Sequence, residues 1–159
     1  MSEVELDKLD RRILNALQEN NLMSADKLSE TIGLSASAIQ RRAKRLRQEK
    51  IILHDVSVVN PKLVGQKATF IVEVNLEREN AQVVSNFKRR MMAAPEVQQC
   101  YYVTGDADFI LVVTARDIED YEEIVQRLMF EDGSVRKYHT SVVLSRVKAT
   151  LSVAIDEDV

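Results

Sequence analysis

At 159 residues, 45% hydrophobic and 30% charged, the chain can bury a conventional core as one domain or two small ones, and its formal net charge is −3. Apolar runs such as FILVVTA from residue 109 are too short to span a membrane, and the start MSEVELDKLD lacks a basic and apolar leader, so a cytoplasmic protein is expected. A single cysteine, Cys100, excludes an intrachain disulfide. Two isolated histidines, His54 and His139, argue against a metal site, and no phosphate-binding glycine loop or nucleophile motif suggests an enzyme or a cofactor.

In chain order, LDKLDRRILNALQEN places Leu6, Leu9, Ile13 and Leu17 at helical spacing, with Asp7 and Asp10 suited to the positive start of a helix. A second, short helix follows in SADKLSETIG, capped by Ser24, carrying Leu28 and Ile32 on one side and stopped by Gly33. Ser35 caps a third helix whose Ile39, Ala43 and Leu46 form an apolar side, which completes a helix-turn-helix. IILHDVSVVNPKLVG then changes to β-branched residues interrupted by Pro61 and Gly65, predicting a wing-like strand and a linker.

From residue 67 the alternation of Phe70, Val72, Val74 and Leu76 predicts a strand, and Val83, Val84, Phe87 and Met91 predict a helix halted by Pro95. VQQCYYVT and DFILVVTA flank Gly105-Asp106-Ala107 as a hairpin, Asp117 caps a helix with Tyr121, Ile124, Val125 and Leu128 on one side, and KYHTSVVLSRVKA is a last strand. The expected fold is α+β. A winged helix-turn-helix over residues 1–54 and a linker over 55–66 precede a βαββαβ ferredoxin-like sandwich over 67–150 and a C-terminal tail over 151–159, whose closing DEDV is expected to be frayed and acidic.

Charge is concentrated in one place. Residues 35–50 hold six Lys or Arg and one Glu, and on a helical wheel Ser37, Arg41, Lys44 and Gln48 lie opposite the apolar side. Duplex DNA is the partner this pattern predicts. Ser35, Ser37, Ala38, Gln40 and Arg41 would approach base edges in the major groove, while Arg42, Lys44, Arg45 and Arg47 would neutralise phosphates.

LDKLDRRIL, GLSASAIQRRAKRL, TGDADFIL and TSVVLSRVKATL, in this order and spacing, resemble the Lrp/AsnC family of amino-acid-responsive transcriptional regulators over nearly the whole chain. The resemblance implies homodimers through the C-terminal sheets that assemble further into tetramers, octamers or open helical arrays, with an amino acid or related small metabolite bound at a subunit interface between dimers. It also implies an effector loop at Thr104, Gly105, Asp106, Ala107 and Asp108, where glycine exposes backbone N–H groups to a carboxylate and an Asp accepts from an ammonium group. Read without the family, the same loop is simply a hairpin turn. On the last strand the resemblance carries over Tyr138 and Thr140; Tyr138 departs from the Thr-like residue usual there and would narrow a pocket or stack on an effector. The alternatives are an architectural DNA-binding protein without an effector and an amino-acid-binding metabolic module.

Overall fold

The computed structural model describes residues 5–77 and 80–158, and the outer ends of the first and last expected segments therefore lie outside the described residues. The chain divides into two units, one comprising residues 1–58 with 148–159 and the other residues 59–147.

The first unit is a three-helix bundle of α1 (Lys8–Glu19), α2 (Ala25–Ile32) and α3 (Ala36–Gln48). Each helix starts on a residue whose side chain accepts from a free backbone N–H: Asp7, Ser24 and Ser35. Asp7 and Asp10 cap each other reciprocally. Gly33 ends α2 in the left-handed region at φ 81°, which costs a Cβ-bearing residue far more, and so turns the chain directly into α3. Ile13, Leu14, Leu28, Ile32, Ile39 and Leu46 fill the bundle's core.

Two expectations at the edges of this unit are corrected. Residues 53–60 form no strand, so the wing-like strand is absent among the described residues; the run is extended, with Val56, Val58 and Val59 exposed and without ladder partners. Residues 156–158 of the closing segment are not frayed. Residues 153–158 lie along α1, held by hydrogen bonds from Gln18, Asn15 and Arg11, and Ile155 packs on the bundle's core.

The second unit contains β1 (Ala68–Leu76), α4 (Ala81–Ala93), β2 (Val97–Tyr102), β3 (Phe109–Ala115), α5 (Ile118–Val125) and β4 (Val135–Val142). The strands are antiparallel in the order β2-β3-β1-β4, as βαββαβ connectivity requires when each helix returns the chain to the same sheet. α5 runs on into a wider turn at Gln126–Phe130 before the chain reaches β4. Period two decides the layers: Phe70, Val72, Val74 and Leu76 of β1 are buried against Phe87 and Met91 of α4 and Tyr121, Ile124 and Val125 of α5. The opposite sheet face carries Ile71, Tyr101 and His139, all exposed, and among the described residues no helix of this unit lies over it. No helix among the described residues is long and apolar enough to cross a membrane.

Candidate nucleic-acid interface and ligand loop

The α3 face predicted to meet DNA is open to solvent. Ile39, Ala43 and Leu46 are buried, which leaves Ser35, Ser37, Gln40, Arg41 and Lys44 exposed on the other side and Ala38 half-buried between them. Ser35 is committed to the cap, accepting from the Ala38 N–H at 3.3 Å with its oxygen 3.2 Å from that of Ser37. Arg41 and Lys44 have no carboxylate partner among the described residues, so their charge is available to a polyanion.

The other three arginines expected on phosphates, Arg42, Arg45 and Arg47, each pair with carboxylates of this unit. Asp10 is only 1% exposed, and Arg42 donates from Nη1 to its Oδ1 at 2.8 Å and to Asp7 Oδ2 at 2.7 Å. Arg45 donates from Nη2 to the second oxygen of Asp10. The Asp10 backbone N–H, reinforced by Arg42, holds the Asp7 carboxyl below the usual carboxylate range. Arg47 forms a two-pronged pair with Asp55 at 2.7 and 3.0 Å, and this guanidinium holds the Asp55 carboxyl low as well. Arg42 and Arg45 thus clamp α3 onto α1. In the sequence, Asp7 and Asp10 read only as helix-start acids. The signal for the clamp is an acid three residues into α1, beside Leu9 and Ile13, and its partners lie 32 and 35 residues further along the chain.

In the second unit the loop Thr104–Asp108 joins β2 to β3. Thr104, Gly105 and Asp106 are exposed, Ala107 is buried, and Gly105 has φ 127°. Asp108 is tied to the sheet at three atoms: its Oδ2 accepts from the Leu76 N–H at 2.7 Å, its N–H donates to the Val74 carbonyl at 2.9 Å, and its carbonyl accepts from the Val103 N–H at 3.0 Å. The Asp106 carbonyl accepts from Asn75 Nδ2 at 2.6 Å. These bonds fix the loop's shape while leaving the Asp106 carboxylate and the Gly105 turn facing water.

Tyr138 pairs across β1 with Val74, so Tyr138 and Asp108 flank the same residue from opposite sides. Thr140 sits one pair further along, opposite Val72, on the helix-covered face. Its hydroxyl lies 2.6 Å from the Tyr121 hydroxyl, and the Tyr121 ring stacks on Phe70 with centroids 3.7 Å apart; burial pushes the Tyr121 phenol up. Strand β1 therefore lies between the loop and Tyr138, which packs half-buried on the sheet's core, and Thr140 is engaged with Tyr121, a partner the sequence did not reveal. Tyr138 meets Phe130 edge-on at 5.8 Å.

Comparison with known proteins places this arrangement. The model of the AsnC-type helix-turn-helix domain matches residues 6–47, and that of the Lrp/AsnC ligand binding domain matches residues 69–153. The chain belongs to the Lrp/AsnC family. It is a transcriptional regulator of the Lrp/AsnC helix-turn-helix type, with a ligand-binding domain. Among its relatives, an HTH-type regulator of Sinorhizobium fredii, y4tD, is 50% identical over 96% of this chain and 90% of its own. The regulator AzlB of Bacillus subtilis is 35% identical over 97% and 98%, and the leucine-responsive regulatory protein of Haemophilus influenzae is 33% identical over 91% and 87%. A transcriptional regulator of Neisseria meningitidis, solved with L-methionine, superposes with a TM-score of 0.90 at 28% identity, covering 98% of this chain and all of its own. An AsnC family regulator of Agrobacterium tumefaciens gives a TM-score of 0.88 at 26% identity over 94% and 97%.

Proposed function

We propose that this Lrp/AsnC regulator binds duplex DNA by laying the exposed side of α3 in the major groove, with Ser35, Ser37, Ala38, Gln40 and Arg41 toward the bases and Lys44 on a phosphate. The observation carrying this reading is that, among the described residues, Arg41 and Lys44 have no carboxylate partner on a helix whose other arginines pair with Asp7, Asp10 and Asp55. Arg42, Arg45 and Arg47 are assigned to holding the unit together. A single small unit gives weak, poorly selective binding, so the protein acts as at least a homodimer presenting two copies of α3 about 34 Å apart. The helix-free face of the sheet is the surface for that association, since an open face carrying Ile71, Ile110 and Tyr101 gains by burial against its own copy. Tetramers and octamers of the dimer follow the same logic.

The effector is an amino acid bound at the turn Thr104–Asp108. Backbone N–H groups around Gly105 take its carboxylate, Asp106 takes its ammonium group, and Tyr138 bounds the side-chain end. L-methionine is the first compound to test, because the Neisseria regulator holds it. The protein is read as a cytoplasmic regulator without catalytic activity, in keeping with relatives that are transcriptional regulators.

Fluorescence anisotropy with duplex DNA from upstream of the protein's own gene tests the DNA reading. Arg41→Ala and Lys44→Ala should each weaken binding about tenfold, and the Lys44 variant should lower the dependence on salt by about one counterion. Parental affinity in both variants would refute the α3 assignment. A thermal-shift screen of the twenty amino acids tests the effector, since a selective ligand raises the midpoint and Asp106→Ala should abolish that rise. No shift with any amino acid would favour an architectural protein without an effector.

A further inference from the structure

The solvent side of α1 is covered by the chain's own end. Lys8, Arg11, Arg12, Asn15 and Gln18 recur at helical spacing on the side opposite Ile13 and Leu17, and every one of them bonds residues 153–158. Gln18 takes both backbone groups of Val153, donating to its carbonyl at 3.1 Å and accepting from its N–H at 2.8 Å. Asn15 donates to the Ile155 carbonyl at 3.2 Å and to Glu157 at 3.0 Å. Arg11 donates to the Asp156 carbonyl at 3.3 Å; Lys8 pairs with Asp158 at 2.7 Å and Arg12 with Glu157 at 3.8 Å. Ile155 is the apolar anchor.

This segment changes the electrostatics of the DNA-binding unit. Residues 1–58 carry ten Lys or Arg against nine Asp or Glu, and residues 148–159 add one Lys and three acids, which turns a net charge of +1 into −1. The ion pairs involved are exposed and individually weak, so the segment is held by many small contacts that solvent and salt can undo.

We propose that residues 153–158 are a releasable acidic strap that holds down the affinity of the α3 unit for DNA. Docked, it engages Lys8, Arg11 and Arg12 of α1 and adds three carboxylates to the unit that must meet a polyanion. Released, it leaves the charges of Lys8 and Arg11 uncompensated, while Arg12 stays on the Thr31 and Ile32 carbonyls, and it takes its own negative charge away. The inference rests on the DNA-binding reading above and adds a regulator to it.

The test compares three proteins: the full chain, a chain ended after Ser152, and the full chain with Asp156→Asn, Glu157→Gln and Asp158→Asn. The substituted chain keeps Ile155 and the backbone bonds, so it reports on charge even where truncation unsettles the bundle. Binding to the upstream duplex and to a random-sequence duplex is measured at low and high salt. Truncated and neutralised chains should bind both duplexes about three- to tenfold more tightly than the full chain at low salt, and the difference should shrink below about twofold at high salt. Equal or weaker binding by the neutralised chain at low salt overturns the strap. Failure of all three to bind either duplex sinks the DNA-binding reading itself, a distinct result.

Discussion

Replacing Asp10 with Ala removes the acceptor that joins α1 to α3. A hydrogen bond to a charged group contributes about 1.5–3 kcal/mol, and stripping one partner from a buried pair costs about 3–5 kcal/mol. The side chains of Arg42 and Arg45 are 24% and 41% exposed, so both guanidiniums regain water once released, and the upper figure is too high. We expect Asp10→Ala to cost about 2–3 kcal/mol, including its part in the cap of α1. The assay is urea unfolding of the full chain followed by helical circular dichroism, with Arg45→Ala and the double variant completing a cycle. Asp10 and Arg45 should couple by at least about 1 kcal/mol. Asp10→Asn should rescue little, because its amide turns N–H donors toward guanidiniums that also donate. A loss below about 1 kcal/mol, or additive single variants, would refute the clamp and return Arg42 and Arg45 to the phosphate-binding set.

Three further outcomes follow from individual contacts. Tyr121→Phe keeps the stack on Phe70 and leaves the Thr140 hydroxyl without its partner, which should cost about 1 kcal/mol in denaturant unfolding. Gly105→Ala forces a Cβ-bearing residue to φ 127° where no neighbouring atom is in the way, so a loss of about 1–2 kcal/mol in the same assay reports backbone strain alone. The folded-state carboxyls of Asp7 and Asp55 bind protons more weakly than their unfolded counterparts. Their contribution is therefore complete above the ordinary carboxylate range near about pH 4 and is lost as pH falls through the lower folded values; Asp7→Asn should flatten the acid limb of the stability profile.

Local patterns sufficed for much of this protein. Capping side chains at Ser24, Ser35 and Asp117 and the stop at Gly33 act within one helical turn, so short stretches of sequence state them directly. The apolar positions of α3 and the alternation of β1 follow from the periods of helix and strand, which is why Ile39, Leu46, Phe70 and Val72 were identifiable as core before any fold was known. The order of elements fixed βαββαβ, and the cluster of positive charge marked α3.

Which of those charges are free was decided only by tertiary structure. Asp10 meets Arg42 and Arg45 across more than thirty residues of chain, and Asp55 reaches back to Arg47, so whether a cation faces solvent or a carboxylate depends on how helices pack rather than on how charges are spaced. The same holds for Thr140 against Tyr121, and for residues 153–158, whose acidic composition reads as a loose end. Their place on α1 depends on Gln18, Asn15 and Ile155 meeting through contacts spanning 135 to 142 residues, a distance over which sequence periodicity carries no information.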